Sequence, residues 1–111
     1  MLRIDVENLD AGLHVLRLEG SLDGLTFMDL HGAVHELAED GAKKVVLDMN
    51  LVDYSSSAGL RAILMCAKAL KEQEGEIVLF GMNSAVKEVF KLSGFESLFK
   101  TFASEEKALA G

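Results

Sequence analysis

The stretch Val45–Leu64, VVLDMNLVDYSSSAGLRAIL, carries the strongest structural signal in the chain. It opens on Val45-Val46-Leu47, an unbroken apolar run that is typical of a strand covered on both faces. We expect residues 48–54 to interrupt this strand. From Ala58 onward, apolar residues recur at steps of three and four as far as about Lys71, which predicts an amphipathic helix.

Three serines stand between the predicted strand and the predicted helix, and Ser56 or Ser57 is the expected N-cap. Free backbone N–H groups and the positive end of the helix dipole favour an anion at such a terminus. A phosphoryl group on one of these hydroxyls would therefore be stabilised. A helix needs only one capping serine, and the sequence has three. Two interpretations stay open: the serines only cap the helix, or one of them is a site of phosphorylation.

The rest of the chain reads as alternating strands and helices. Before the stretch we predict two antiparallel strands at 2–7 and 13–19, and a helix over about 25–39 with a capping box from Thr26 and Asp29. Met28, Val34, Leu37 and Ala38 are expected to face the core. After it we predict a strand at 76–80, a helix from Asn83 or Ser84 to Ser93-Gly94, a strand near 98–101, and a helix from Ser104 to about 109.

The predicted element order is β-β-α-β-α-β-α-β-α. Its βαβ units require parallel strand pairing with helices packed on a sheet. We therefore expect one α/β domain over residues 1–111, with a mixed central sheet of about five strands and about four helices. No proline, linker or low-complexity tract divides the chain.

Composition and charge narrow the range of functions that the sequence allows. The formal net charge is −7 and no basic cluster is present, which argues against nucleic-acid binding. The N-terminus lacks the apolar segment of a signal peptide, so we expect a cytoplasmic protein that does not insert into membranes. Cys66 is the only cysteine, which rules out an internal disulfide, and we expect it in the core.

Catalysis is not expected, although serine, aspartate and histidine all occur. The serines lack a Gly-x-Ser-x-Gly elbow, and His14 falls in a predicted strand. His31 and His35 lie four residues apart on one helix, but no acidic or cysteine ligand is evidently committed to them. We predict no catalytic residues, no metal site and no cofactor.

Four segments in this order resemble the STAS domain, a family named for sulfate transporters and anti-sigma-factor antagonists. The segments are Gly20-Ser21-Leu22-Asp23, Val45-Val46-Leu47-Asp48, Ser56-Ser57-Ala58-Gly59-Leu60, and Ser84-Ala85-Val86-Lys87 to Ser93-Gly94. Free-standing members are anti-sigma-factor antagonists. The resemblance implies that the unphosphorylated protein captures an anti-sigma factor that is also a serine kinase. It implies that phosphorylation prevents capture, and that a phosphoserine phosphatase restores it.

The resemblance also implies site residues. Alignment on Gly59-Leu60 makes Ser57 the phosphoacceptor and Ser56 the second choice, whereas many members carry aspartate where this chain has Ser56. Asp23 matches a family position and either supports phosphorylation or closes a turn. Gly59 either allows the partner or a nucleotide to approach the helix start closely or relieves packing against the sheet.

Tyr54 and Arg61 are possible contacts at the rim of the partner surface, and Arg61 is also a possible partner for the phosphate. An alternative function for the same surface is a permanent docking face. The protein would then be an accessory subunit or scaffold on a membrane transporter ATPase, and Ser57 would only cap the helix.

Overall fold

The structure is a computed structural model that describes residues 1–111. The strands are β1 (Leu2–Asp10), β2 (Leu13–Leu22), β3 (Lys44–Ser55), β4 (Glu76–Phe80) and β5 (Lys100–Phe102). The helices are α1 (Phe27–Glu39), α2 (Ser57–Lys71), α3 (Ser84–Leu92) and α4 (Glu105–Ala110), with a 3-10 turn at Phe95–Ser97. The predicted order and number of elements are confirmed.

The five strands form one mixed sheet in the order β1-β2-β3-β4-β5. The β1 and β2 strands pair antiparallel, and every other pair is parallel. Gly12, at φ +78°, supplies the left-handed residue in the turn between β1 and β2. The other pairs are joined by helical crossovers, as parallel pairing requires.

The sheet is covered on both faces, but unequally. Helices α1, α2 and α3 bury their apolar stripes against one face, where the main core includes Leu16, Leu47 and Ile63. The short helix α4 covers part of the other face, with Ala108 packed on Val15, Val46, Val78 and Phe80. Burial on both faces explains the unbroken apolar runs of β3 and β4.

The prediction that residues 48–54 interrupt the third strand was wrong, because β3 continues to Ser55. Beyond Leu47 it still places Met49 and Val52 in the core. The backbone of this second half pairs with β2, which itself runs past its predicted end at 19 to Leu22. A neighbouring strand thus satisfies the backbone of a segment whose own residues do not look like a strand.

The start of α1 also differs from its prediction. Met28 is exposed, and Leu30 is the buried residue in that turn of the helix. The capping box does not form: Thr26 is the N-cap residue but makes no side-chain cap bond. Its hydroxyl donates to the Ser21 carbonyl at 2.9 Å and accepts from the Asp23 N–H at 3.0 Å. Local turn bonds have replaced the capping bond.

Other elements begin or end within a few residues of their predicted boundaries. The first strand extends to Asp10, and the last strand occupies 100–102 where 98–101 was predicted. Asn83, not Ser84, caps α3, through a bond of 2.8 Å from the Val86 N–H. Cys66 is fully buried, as expected. Burial raises the pKa of its thiol to about 12, so this cysteine stays protonated near neutral pH.

Candidate functional site

The three serines that end β3 and begin α2 occupy three different environments. Ser55 is buried and its hydroxyl donates to the Ser56 carbonyl at 3.2 Å. Ser56 is the N-cap of α2, and its Oγ accepts a hydrogen bond from the Gly59 N–H at 3.1 Å. Ser57 is the first helical residue and is exposed. The capping role thus falls to Ser56, which leaves the Ser57 hydroxyl outside the cap.

The Ser57 side chain lines a groove between α2 and the end of α3. Its Oγ is 3.2 Å from Oγ of Ser93, the C-cap residue of α3. The groove measures about 430 Å³ and is lined by Ser57, Arg61, Leu64, Met65, Lys68, Ser93 and Phe95. Two of these residues are cations and none is acidic. The groove is therefore electrostatically suited to an anion attached to Ser57.

Asp23 lies in the loop between β2 and α1, which packs directly against the start of α2. Its Oδ1 accepts from the Leu25 N–H at 2.8 Å and from the Thr26 N–H at 3.2 Å. The Ser56 N–H donates to the Leu22 carbonyl at 3.0 Å and ties this loop to the serine turn. Asp23 therefore closes a turn, and the loop that it shapes borders the candidate site.

Gly59 allows the Asp23 loop to approach so closely. A Cβ at this position would lie 2.1 Å from the Leu22 carbonyl oxygen and 2.9 Å from the Asp23 backbone nitrogen. Both are backbone atoms that cannot rotate away. Of the two roles considered for Gly59, relief of packing against the end of the sheet is the one that the geometry supports.

Arg61 and Tyr54 lie on opposite faces of the sheet. Arg61 lines the Ser57 groove and also a second groove of about 180 Å³ between Gly24, Phe27 and α2. Its guanidinium takes part in no salt bridge. Tyr54 is exposed, and since the next residue, Ser55, is buried towards the helices, strand alternation directs Tyr54 to the opposite face. Of these two residues, only Arg61 lines the groove that contains Ser57.

Ser93 is the site residue that sequence reasoning missed. Its sequence signal, Ser93-Gly94, predicts the end of α3 and belongs to one STAS-like segment, with no predicted role at the serine site. The predicted helix end is correct, because Gly94 adopts the left-handed conformation at φ +78°. The contact with Ser57 joins residues that are 36 positions apart. No local pattern pairs two such residues, so only the packed structure reveals it.

Other reactive side chains do not gather at this site. No group of three or more histidine, cysteine, aspartate or glutamate residues is arranged to hold a metal ion. His31 and His35 stack on α1 with ring centroids 6.0 Å apart, and His35 pairs with Glu39. No helix combines the length and the apolar composition that crossing a bilayer requires.

The family model of the STAS domain matches residues 4–108. The chain belongs to the STAS domain family. Among curated relatives, BtrV of Bordetella bronchiseptica, provisionally named as an anti-sigma factor antagonist, is 36% identical over 109 residues, 98% of this chain and 93% of BtrV. The anti-sigma-F factor antagonist RsfB of Mycobacterium tuberculosis is 29% identical over 103 residues, 90% of this chain and 81% of RsfB.

Solved structures confirm the STAS fold. The anti-sigma factor antagonist SpoIIAA in its unphosphorylated form superposes with a TM-score of 0.82 over 96% of this chain and 93% of SpoIIAA, at 22% identity. The phosphorylated form of SpoIIAA, from Bacillus, superposes with a TM-score of 0.73 over 97% of both chains. Membership of the anti-sigma factor antagonist group within the STAS family thus rests on the sequence relatives, and the predicted fold is confirmed.

Proposed function

We propose that this protein is an anti-sigma-factor antagonist that captures an anti-sigma factor when unphosphorylated and releases it when Ser57 is phosphorylated. The observation that carries the proposal is the 36% identity to BtrV across almost the entire length of both chains. Full-length similarity matters because the partner surface and the phosphorylation site belong to the same small domain. RsfB, also named as an antagonist, supports the same reading.

Ser57 is the acceptor that the geometry favours. Ser55 is buried and the Oγ of Ser56 is occupied by the cap bond, whereas Ser57 is exposed. A kinase would transfer the γ-phosphoryl group of ATP to the Ser57 Oγ, with ADP leaving and the hydroxyl proton passing to a base of the kinase. The Ser57 and Ala58 N–H groups, which the Ser56 cap leaves without a partner, carry partial positive charge close to the new anion.

The replacement of the usual aspartate by Ser56 is compatible with this switch. Serine and aspartate are equally strong N-cap residues, and Ser56 makes the cap bond that an aspartate would make. The exchange removes one negative charge beside the phosphoryl group. Like-charge repulsion at the phosphorylated site is therefore smaller than in members with the aspartate.

The proposed partner surface, which we call the switch face, consists of Gly24–Met28 and the exposed side of Ser57–Met65. Its apolar side chains protrude: Leu25 is 93% exposed, Met28 60% and Met65 41%. The groove between Gly24, Phe27 and α2 joins the two segments. Exposed apolar side chains bordered by polar residues are typical of a protein-binding surface.

Phosphorylation would weaken binding because it places about −1.5 to −2 charges inside this surface. Desolvation of a dianion in a protein interface is costly, and Arg61 in the groove neutralises only part of its charge. We expect the dissociation constant of the complex to rise at least ~100-fold, which corresponds to about 2.7 kcal/mol. The kinase is proposed to be the anti-sigma factor itself, with a phosphoserine phosphatase restoring the binding form in the cytoplasm.

The test uses the purified protein and a candidate anti-sigma factor with a serine-kinase-like sequence from the same genome. Calorimetry measures binding, and peptide mass spectrometry after incubation with ATP locates the phosphate. Ser57→Ala should still bind but accept no phosphate. Ser84→Ala is the matched control, because Ser84 is the exposed first residue of α3 as Ser57 is of α2.

Two results would contradict the proposal. One is a phosphorylated protein that binds the anti-sigma factor as tightly as the unmodified protein. The other is a protein that neither binds the anti-sigma factor nor accepts phosphate, but binds a transporter ATPase through the same face. That second result would establish the accessory-subunit role in its place.

A further inference from the structure

We propose that Ser93 is the intramolecular ligand of the phosphoryl group on Ser57, and that Arg61 neutralises part of its charge, so that the phosphoryl group is held in the groove between α2 and α3. This inference rests on the proposed phosphorylation of Ser57. It goes further by assigning a role to a residue at the end of a different helix and by specifying where the phosphoryl group lies.

The first observation is the contact itself. The two hydroxyl oxygens are 3.2 Å apart, within hydrogen-bond distance, and either can donate. Once the Ser57 oxygen carries a phosphoryl group, the phosphoryl oxygens are strong acceptors and Ser93 has a proton to donate. A phosphoryl oxygen turned towards α3 would lie where Ser93 can reach it by rotating one side-chain bond.

The second observation is that Ser93 is held in place by its backbone. Its N–H donates to the Val89 carbonyl at 3.0 Å, and the next residue, Gly94, turns the chain sharply at φ +78°. Phe95 then packs edge-on against Phe90 in the core. The hydroxyl is thus presented by a fixed helix end, and little conformational entropy is lost when it binds an anion.

The third observation is the charge of the groove. Arg61 lies one helical turn after Ser57 on the same face of α2, and Lys68 lies two turns farther along. Arg61 makes no competing salt bridge, and no carboxylate lines the groove. The C-terminal carbonyls of α3 carry partial negative charge and oppose an anion there. The Ser93 hydroxyl lies at that helix end, and by donating a hydrogen bond to the phosphoryl group it offsets this repulsion.

The functional consequence concerns the lifetime of the modified state. A phosphoryl group that is bonded to Ser93 and paired with Arg61 lies against its own protein. A phosphatase must break these contacts before it can hydrolyse the ester. Loss of the Ser93 hydroxyl should therefore free the phosphoryl group from the groove. It should also make the dianion less stable relative to the monoanion.

The experiment uses the full chain with phosphoserine incorporated at position 57 during translation, so that no kinase is needed. Phosphorus-31 NMR follows the second ionisation of the phosphoserine between pH 4 and 9. A donor hydroxyl and a cation both stabilise the dianion and lower this pKa. We expect Ser93→Ala and Arg61→Gln each to raise it by about 0.3–0.5 pH unit. Ser93→Thr, which keeps the hydroxyl, should restore the original value.

Ser84→Ala is the matched control and should leave the titration unchanged. An identical titration for Ser93→Ala and the unsubstituted protein would overturn the inference, as would an effect that Ser93→Thr fails to rescue. Because phosphoserine is installed directly, the outcome does not depend on any kinase. A failure of the proposed switch, in which no kinase modifies Ser57, is therefore distinguishable from a failure of the Ser93 contact.

Discussion

At the residue scale, position relative to the helix start decides what each of three identical side chains can do. Ser55 faces the core, Ser56 caps the helix, and Ser57 faces solvent. A shift of one residue would exchange a structural hydroxyl for a reactive one. The candidate phosphorylation site is thus defined by the cap bond of its neighbour.

Substitution of Ser56 tests this division of roles. Ser56→Ala removes the acceptor for the Gly59 N–H and should lower the free energy of unfolding by about 1 kcal/mol. Ser56→Asp should stay within about 0.5 kcal/mol of the unsubstituted protein because aspartate caps as well as serine. Ser57→Ala removes no cap bond and is the control. Urea unfolding measures all three, and equal losses for Ser56→Ala and Ser57→Ala would contradict the assignment.

Two helical glycines provide a second comparison. A methyl group on Gly59 would strike the Leu22 carbonyl, whereas one on Gly32 would meet nothing within 4 Å. We expect Gly59→Ala to destabilise the protein by about 1–3 kcal/mol through overpacking. Gly32→Ala, at an open helical position, should stabilise it by about 0.5–1 kcal/mol. Opposite signs in thermal unfolding are the expected result, and equal stabilisation by both changes would disprove the close approach at Gly59.

At the element scale, α4 is too short to be stable on its own and depends on its contacts with the sheet. Ala108 fills the apolar cluster on the outer face, and Arg17 binds Glu105 at 2.7 Å. The same guanidinium binds Glu7 at 2.6 Å and Asp48 at 2.9 Å. These three carboxylates raise the pKa of Arg17 above its ordinary value, with Glu105 the largest contributor. Arg17 therefore anchors α4 to β1, β2 and β3.

Replacement of this arginine should loosen α4 first. Arg17→Gln is expected to lower the free energy of unfolding by about 1–2 kcal/mol, because it breaks a partly buried ionic network. Hydrogen exchange in residues 104–111 should speed up before exchange elsewhere. Arg3→Gln is the control, because Arg3 makes one exposed pair with Asp5. Uniform exchange across the chain, or equal losses in the two variants, would show that Arg17 does not anchor α4.

At the scale of the whole molecule, β1 leaves one long edge of the sheet unpaired, since no strand lies beyond it. Such an edge is a template for strand addition by a second molecule. Charged residues interrupt the apolar positions of β1, with Arg3, Asp5 and Glu7 alternating with Leu2, Ile4 and Val6. The net charge of −7 adds repulsion between copies.

Replacing charged residues of β1 without changing the net charge tests whether they prevent strand addition at this edge. The double variant Arg3→Ile, Asp5→Ile creates an apolar run on the free edge, and we expect self-association. Lys87→Ile, Glu88→Ile is the charge-matched control on the exposed side of α3. Size-exclusion chromatography with light scattering should show a mass that rises with concentration only for the β1 variant. A β1 variant that stays the size of the unsubstituted protein would exclude edge protection by these charges.

The sequence by itself determined the type and order of the elements, because hydrophobic period, caps and turn residues act over a few neighbouring positions. The α2 helix illustrates this, with its stripe and its serine start both readable locally. The same local signals placed the serines at the helix start but left Ser56 and Ser57 equivalent as caps. The resemblance of four segments, and not periodicity, pointed to the STAS family and to Ser57, whose role as phosphoacceptor stays a prediction.

Only the tertiary structure decided features that depend on partners distant in the chain. Polar residues of β3 remain in a strand because β2 accepts and donates their backbone hydrogen bonds. Met28 is exposed because the packing of α1 buries Leu30 in its place. Ser93 reaches Ser57, and Arg17 reaches α4, across 36 and 88 positions. These contacts form when the elements pack, and no local propensity specifies which side chains will meet.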